Sequence, residues 1–224
     1  MLVSAFMTGV NDALRGTDDN APTANSTDWD YWLRILNRKK NELYSDVTKS
    51  WHNTFEVREI GTVSASEEPS FDLDDDFLGA SDYFYIITTA GDRVEYNLVK
   101  PQERSRLHRE GYIAGMNPEA LFITNEISAT EDIVGGAVHL PGYWLPADLT
   151  RATDTLPFTM PDWAVLAVAA EVAANDITYE DKEENLNAKA NNLYGLMVSK
   201  NHRGTYKNPR VAPTYVGRIG ARLK

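Results

Sequence analysis

Between Pro161 and Lys200 lies the longest run in the chain whose composition and spacing both demand helix, and the remaining segments have to be accommodated around it. Its first half, Pro161 to Ala174, opens with proline at a first-turn position, where the missing N–H costs nothing, followed by Asp162 at the positive helix end. Alanine and small apolar residues lie nearly all round this half, the pattern of a helix buried on most faces, in a core or against neighbouring subunits. Asn175-Asp176-Ile177-Thr178 mixes poor helix formers with a β-branched pair. From Tyr179 a second helix carries Leu186, Ala190, Leu193, Tyr194 and Met197 on one stripe, with Asp181, Lys182, Glu184 and Lys189 on the opposite face. The reading is two antiparallel helices with a break at Asn175 to Thr178; one long kinked helix is the alternative.

The apolar residues Leu2, Val3, Phe6, Met7, Val10 and Leu14 follow helical spacing and stop at Gly16, where a left-handed cap residue is expected. A polar, proline-containing connector, Thr17 to Thr27, ends in residues able to cap the next helix. In that helix Trp29, Trp32, Leu33, Leu36, Leu43, Tyr44 and Val47 share one face, and a rod from Trp29 to Val47 would be about 28 Å long. This tryptophan face needs a partner, and Pro161 to Lys200 is the large one on offer.

After Trp51 the period changes to alternation. Thr54 to Ile60 suits a half-buried strand. Tyr83 to Thr89 and Arg93 to Val99 flank the turn Ala90-Gly91-Asp92 and read as a hairpin. Ala120 to Thr124, Asp132 to Val134 and Ala137 to Leu140 follow, the last two joined by Gly135-Gly136. No helix separates these strands to make a parallel crossover, so a small antiparallel sheet or barrel is expected. Leu145 to Pro161, with three prolines and four threonines, reads as an extended link.

The expected fold is therefore α+β: a helical bundle built from N- and C-terminal helices, with an inserted small antiparallel β subdomain and an extended C-terminal arm. The boundaries are 1–51 for the N-terminal helices, 52–145 for the β subdomain, 146–200 for the linker and helical hairpin, and 201–224 for the arm.

At 224 residues the chain is long enough for one sizeable core or two small ones. It has no apolar run near the roughly 18 residues of a membrane span, and no basic-then-apolar leader, so it reads as soluble and not secreted. The absence of cysteine removes disulfides, thiolate metal sites and thiol nucleophiles. A net charge of −11 argues against a general nucleic-acid coat. The average hides an asymmetry: residues 200–224 hold seven basic residues and no acid, while residues 1–199 hold 15 basic and 33 acidic ones.

No catalytic pattern stands out. His52, His108, His139 and His202 are scattered, without a second histidine or carboxylate at metal-ligand spacing, and are read as ordinary polar or half-buried side chains. Nucleophile-elbow, phosphate-loop and dinucleotide-binding motifs are missing. Asp72, Asp74, Asp75 and Asp76 lack the glycine and distant glutamate of a calcium loop and read as a solvated turn anchored by Phe71, Leu73 and Phe77. Tyr83, Phe84 and Tyr85 read as sheet core rather than a base-stacking platform. Arg104, Arg106 and Arg109 beside His108 form a small basic patch, either a solvated loop or a contact for phosphate or acidic groups. No cofactor or metal is expected. The basic tail is the sharper feature, because Tyr206, Tyr215 and Ile219 are anchors within it, and 24 extended residues reach up to about 80 Å. It reads as a segment that orders on an acidic partner, against the plainer alternative of a frayed terminus.

Taken together, Val10-Asn11-Asp12-Ala13-Leu14-Arg15-Gly16, Trp32-Leu33-Arg34-Ile35-Leu36-Asn37-Arg38 and Leu73-Asp74-Asp75-Asp76-Phe77-Leu78 resemble the head-to-tail connector, or adaptor, proteins of tailed bacteriophages. So do Leu140-Pro141-Gly142-Tyr143-Trp144-Leu145-Pro146, Thr153-Asp154-Thr155-Leu156-Pro157 and the alanine-rich hairpin. The resemblance covers most of the chain, although the central strand region is larger than in the minimal, almost all-helical adaptors. It implies a structural virion protein at the neck, assembled in the host cytoplasm. Such a protein forms a ring of twelve copies under the portal, extends the DNA channel and joins the capsid to a downstream tail or stopper protein. Genomic DNA passes through its lumen without specific binding. It also implies that the C-terminal arm docks on the portal, here through Tyr206, Arg210, Tyr215, Arg218 and Ile219. The alternatives are a DNA-binding phage accessory protein that grips duplex with the basic tail, and an enzyme, such as a phage hydrolase, whose histidines and aspartates converge only in three dimensions.

Overall fold

A computed structural model of the chain describes residues 1–17, 20–46, 51–65, 69–103, 110–115, 120–123 and 133–207, with side chains as far as Asn201. The chain falls into two compact units, Met1–Leu43 with Asp148–Lys224, and Tyr44–Ala147.

The first unit is built on α1 (Val3–Arg15), α2 (Thr27–Tyr44, whose last residue belongs to the second unit), α3 (Pro161–Asn175) and α4 (Glu183–Lys207). No side chain caps the start of α1. Its first N–H groups are met instead by the carbonyls of a later segment, Val3 donating to Asp154 at 2.9 Å and Ser4 to Ala152 at 3.0 Å. At its far end Gly16 takes the left-handed conformation, φ 72°, and donates to Asp12 O. Trp29, Trp32, Ile35, Leu36 and Leu43 of α2 are all buried. Helix α3 has its apolar residues all round, and Trp163, Ala164, Val165, Val168, Ala169, Ala170, Val172 and Ala173 are buried among its neighbours. A turn and a short 3-10 segment, Glu180–Lys182, separate α3 from α4, so the region is two helices rather than one kinked rod. Leu186, Ala190 and Met197 of the expected α4 stripe are buried, with Leu193 and Tyr194 half-buried.

The arm expected from residue 201 is not extended at its start, because α4 continues to Lys207. Asn201, four residues beyond Met197 on the same face, is 2% exposed, so tertiary burial carries the helix past the point where the sequence turns basic.

The second unit is an eight-stranded sheet: β1 (Phe55–Thr62), β2 (Ser70–Asp72), β3 (Phe77–Ala80), β4 (Tyr83–Ile87), β5 (Arg93–Leu98), β6 (Glu110–Ala114), β7 (Ala120–Ile123) and β8 (Ala137–Trp144). The order is β1-β8-β4-β5-β6-β7-β2, with β3 also paired to β8. The two end strands approach each other, since a Cβ on Gly61 of β1 would lie 2.8 Å from the Phe71 ring of β2; the sheet nearly closes into a barrel. Inside it Phe84, Ile86, Leu121, Ile123, Val138, Leu140 and Trp144 form the core with Tyr96, Val63 and Leu73.

This overturns the expected helical bundle with a small inserted antiparallel β subdomain. The sheet dominates, and it is mixed: β5 and β6 run parallel, with Asn97 opposite Glu110 and Leu98 opposite Gly111. The expectation failed because a parallel pair was assumed to need a helical crossover, whereas the link here includes a 3-10 turn at Pro101–Glu103. Strands β2, β3 and β6 are only three to five residues long and contain aspartate, glycine and glutamate, which hid their alternation. Asp132 lies outside the described residues, and Ile133 to Gly136 form a turn rather than a strand. Strand β8 runs through Pro141 because its partner on one side changes there from β4 to β3. The break in the ladder tolerates a residue with no N–H, and Pro141 O accepts from Ser81 N at 2.9 Å.

Among the described residues no helix is long and apolar enough to cross a membrane.

Candidate functional site

Of the residues expected to dock an arm, Tyr206 lies on the backbone of α4, and Arg210, Tyr215, Arg218 and Ile219 lie outside the described residues. Arg104, Arg106, His108 and Arg109 lie outside them as well. His52 begins a 3-10 turn, and His139 stands on the outer face of β8 with its ring stacked on Tyr85, centroids 5.0 Å apart. Among the described residues no three histidine, aspartate or glutamate side chains gather as metal ligands.

The aspartate run has a structural role. Asp74 opens a turn whose carbonyl accepts from Phe77 N, and Asp76 Oδ2 lies 2.8 Å from an Arg58 guanidinium nitrogen. Arg58 also bonds Glu56, and its Cζ lies 4.2 Å from the centre of the Trp144 ring. Burial works against its charge, but the hydrogen bonds it donates to Asp76 and Glu56, with the charges of those two acids, outweigh it and raise the guanidinium pKa. Phe71 and Leu73 are buried beneath, as their anchoring role requires.

Three residues of the other quoted motifs, Asn11, Asn37 and Asp154, and outside those motifs Lys40, also hold the chain in place. Asn37 of α2 grips the backbone of Leu149 from both sides, donating to its carbonyl and accepting from its N–H, each at 2.9 Å. Asn11 of α1, fully buried, donates to Thr17 O at 2.9 Å. Asp154 accepts from the N–H groups of Thr150 and Arg151 at 2.8 Å, and these bonds hold its carboxyl below the ordinary range. Lys40, with no exposed side-chain surface, reaches Asp148 at 2.7 Å. These contacts hold the link that follows β8 and the end of α1.

The sheet divides the aromatic run as alternation dictates. Phe84 is in the core, stacked on Tyr96, while Tyr83 and Tyr85 face outward. On that outer face Arg93 covers Tyr85 at 3.9 Å, and Phe55 packs edge-on to Tyr143. Phe55 and Val57 are 43% and 47% exposed. The sequence reading took Tyr83, Phe84 and Tyr85 together as sheet core, and only Phe84 is there; the register puts Phe55 opposite Tyr143 and Val57 opposite Pro141.

Charge separates cleanly between the two units. Residues 44–147 hold 18 acidic and 7 basic residues, a net of −11, and the helical unit holds 15 of each. All of the net charge thus belongs to the sheet unit, and the helical unit is neutral only because residues 200–224 contribute +7.

No protein-family model matches the chain, and no curated protein matches it in sequence.

Proposed function

We propose that the chain is a head-to-tail adaptor of a tailed bacteriophage, a structural subunit that rings the portal, extends its DNA channel and presents a surface to a downstream tail or stopper protein. The observation that carries this reading is the charge partition: an acidic sheet unit of −11 beside a helical unit that ends in a basic segment. Acidic subunits arrayed around a channel repel DNA phosphates and let the genome slide, while a basic segment seeks an acidic protein surface. The resemblance motifs support it too, since Asn37, Asp154 and Asn11 fix chain geometry and none is built for catalysis. The portal and copies of the chain itself are the partners, and no step of chemistry is required.

Native mass spectrometry of the isolated portal ring with the full-length protein tests this. Twelve copies of a 25.1 kDa chain add about 300 kDa to the portal. Portal mass unchanged in the presence of excess folded protein refutes the proposal.

A second reading has one observation in its favour, the seven basic residues without an acid after Ser199: the segment grips duplex DNA. It requires binding of the full chain to duplex whose affinity falls steeply with salt, and loss of that binding when Arg210, Arg218 and Arg222 become glutamine.

A further inference from the structure

Strand β1 ends its sheet: β8 pairs with one side of it, and among the described residues no strand pairs with the other side. The approach of β2 is at Gly61, past the bulge that follows Glu59, so it leaves the run from Phe55 to Glu59 open. Which groups this open edge presents follows from β8. In a strand the N–H and C=O of one residue point to the same edge, and successive residues alternate. Pro141 O accepts from Ser81 N on the β3 and β4 side of β8, while Gly136 O accepts from Val63 N on the β1 side. Leu140 and Gly142 therefore turn to β1, where Arg58 and Glu56 stand opposite them. The residues between and beside those two point the other way. The N–H groups of Val57 and Glu59 and the C=O groups of Phe55 and Val57 face the open edge, and Phe55 N–H is taken by His52 O. Phe55 and Val57 are also exposed, and the run contains neither of the residues, proline and lysine, that most often blunt such an edge.

We propose that this edge pairs antiparallel with the same edge of a second copy, about a two-fold axis at Val57. The sequence is self-complementary in that register. Val57 exchanges N–H and C=O bonds with its own copy, and Glu59 N–H reaches Phe55 O of the other chain. On the opposite face of the strand Glu56 stands across from Arg58, and Arg58 from Glu56. Arg58 already contacts Glu56 of its own chain, so pairing closes a square of alternating charge. The neighbouring registers, centred on Glu56 or on Arg58, would put a charge directly opposite its own copy. Charge thus selects both the partner and the register. A two-fold contact is isologous, whereas the contacts around a ring are head to tail, so this pairing belongs to the free protein and its failure leaves the adaptor proposal standing.

A contact this short lies at the small end of protein interfaces, so a dimer with a Kd of about 1–100 µM is expected. Sedimentation velocity of the full-length protein over that range tests it, the mass rising with concentration from 25.1 kDa towards about 50 kDa. Because Val57 faces its own copy, Val57→Lys and Val57→Glu should each bring like charges together and weaken the dimer at least tenfold. An equimolar mixture of the two variants should dimerise again, as a heterodimer, which also shows both to be folded. In the parent protein, hydrogen exchange at the Val57 and Glu59 amides should slow as concentration rises, while that at Phe55 stays constant. Parent protein that remains at 25.1 kDa throughout, single variants that dimerise as the parent does, a mixture that stays monomeric, or exchange at Val57 that ignores concentration would each overturn the pairing.

Discussion

Gly111 tests the parallel junction of β5 and β6, the part of the sheet least expected from the sequence. A Cβ placed there would lie 2.4 Å from Cε1 and 2.7 Å from Cζ of Phe84, with the carbonyl oxygen of Phe122 at 3.1 Å. Carbon atoms in ordinary contact stand about 3.5–4.0 Å apart, so the methyl group intrudes by about 1 Å. The ring has no room to retreat: Phe84 is fully buried and stacked on Tyr96 at 5.0 Å. Overpacking of a tight core costs about 1–3 kcal/mol, and with backbone on the second side Gly111→Ala belongs near the upper figure. At a urea slope of about 2 kcal/mol per molar, a loss of about 3 kcal/mol lowers the midpoint of the sheet unit by about 1.5 M. Equilibrium unfolding followed by near-ultraviolet circular dichroism measures it. Phe84→Leu relieves the clash, so the double variant should lose at least about 1 kcal/mol less than the sum of the two single losses. Gly111→Ala within about 0.5 kcal/mol of the parent, or strict additivity of the pair, would refute the packing of β6 on Phe84.

Three further outcomes follow from the clamps and the buried aromatics. Asn37→Ala strips partners from both the N–H and the carbonyl of Leu149, itself 6% exposed, and should cost about 2–3 kcal/mol in urea unfolding. Asp148→Asn should cost only about 1–2 kcal/mol although Lys40 is buried, because the Asp148 carboxylate is 63% exposed and water screens the pair. Burial pushes the Tyr44 hydroxyl up to about 12 against the hydrogen bond from Asn53. The unfolded chain ionises this group first, so its contribution is complete below pH 10 and is lost as pH rises from 10 to 12, by about 2–3 kcal/mol in all. Tyr44→Phe should remove that share of the alkaline loss, measured as the difference between the two pH profiles.

Helices were legible because their signals are local. The spacing of Val3, Phe6, Met7, Val10 and Leu14, the cap at Gly16 and the proline start at Pro161 each lie within a few turns of the element they specify. The hairpin of β4 and β5 was legible for the same reason, with Gly91 at φ 88° in its turn. The sheet as a whole was not, because its order joins strands far apart in the chain: β2 pairs with β7, and β1 with β8. Short strands such as Ser70–Asp72 acquire their identity from those partners and have too few residues to show a period. Charge asymmetry was visible along the sequence, but that the whole net −11 belongs to the sheet unit emerged only once the two units were defined.

The adaptor proposal is tested most directly by electron microscopy of the full-length protein mixed with the portal of the same phage, beside each component alone. A second ring on the narrow end of the portal, absent from either component alone, is the expected result. Bare portals across a range of salt concentrations, with the protein folded and in excess, would contradict it.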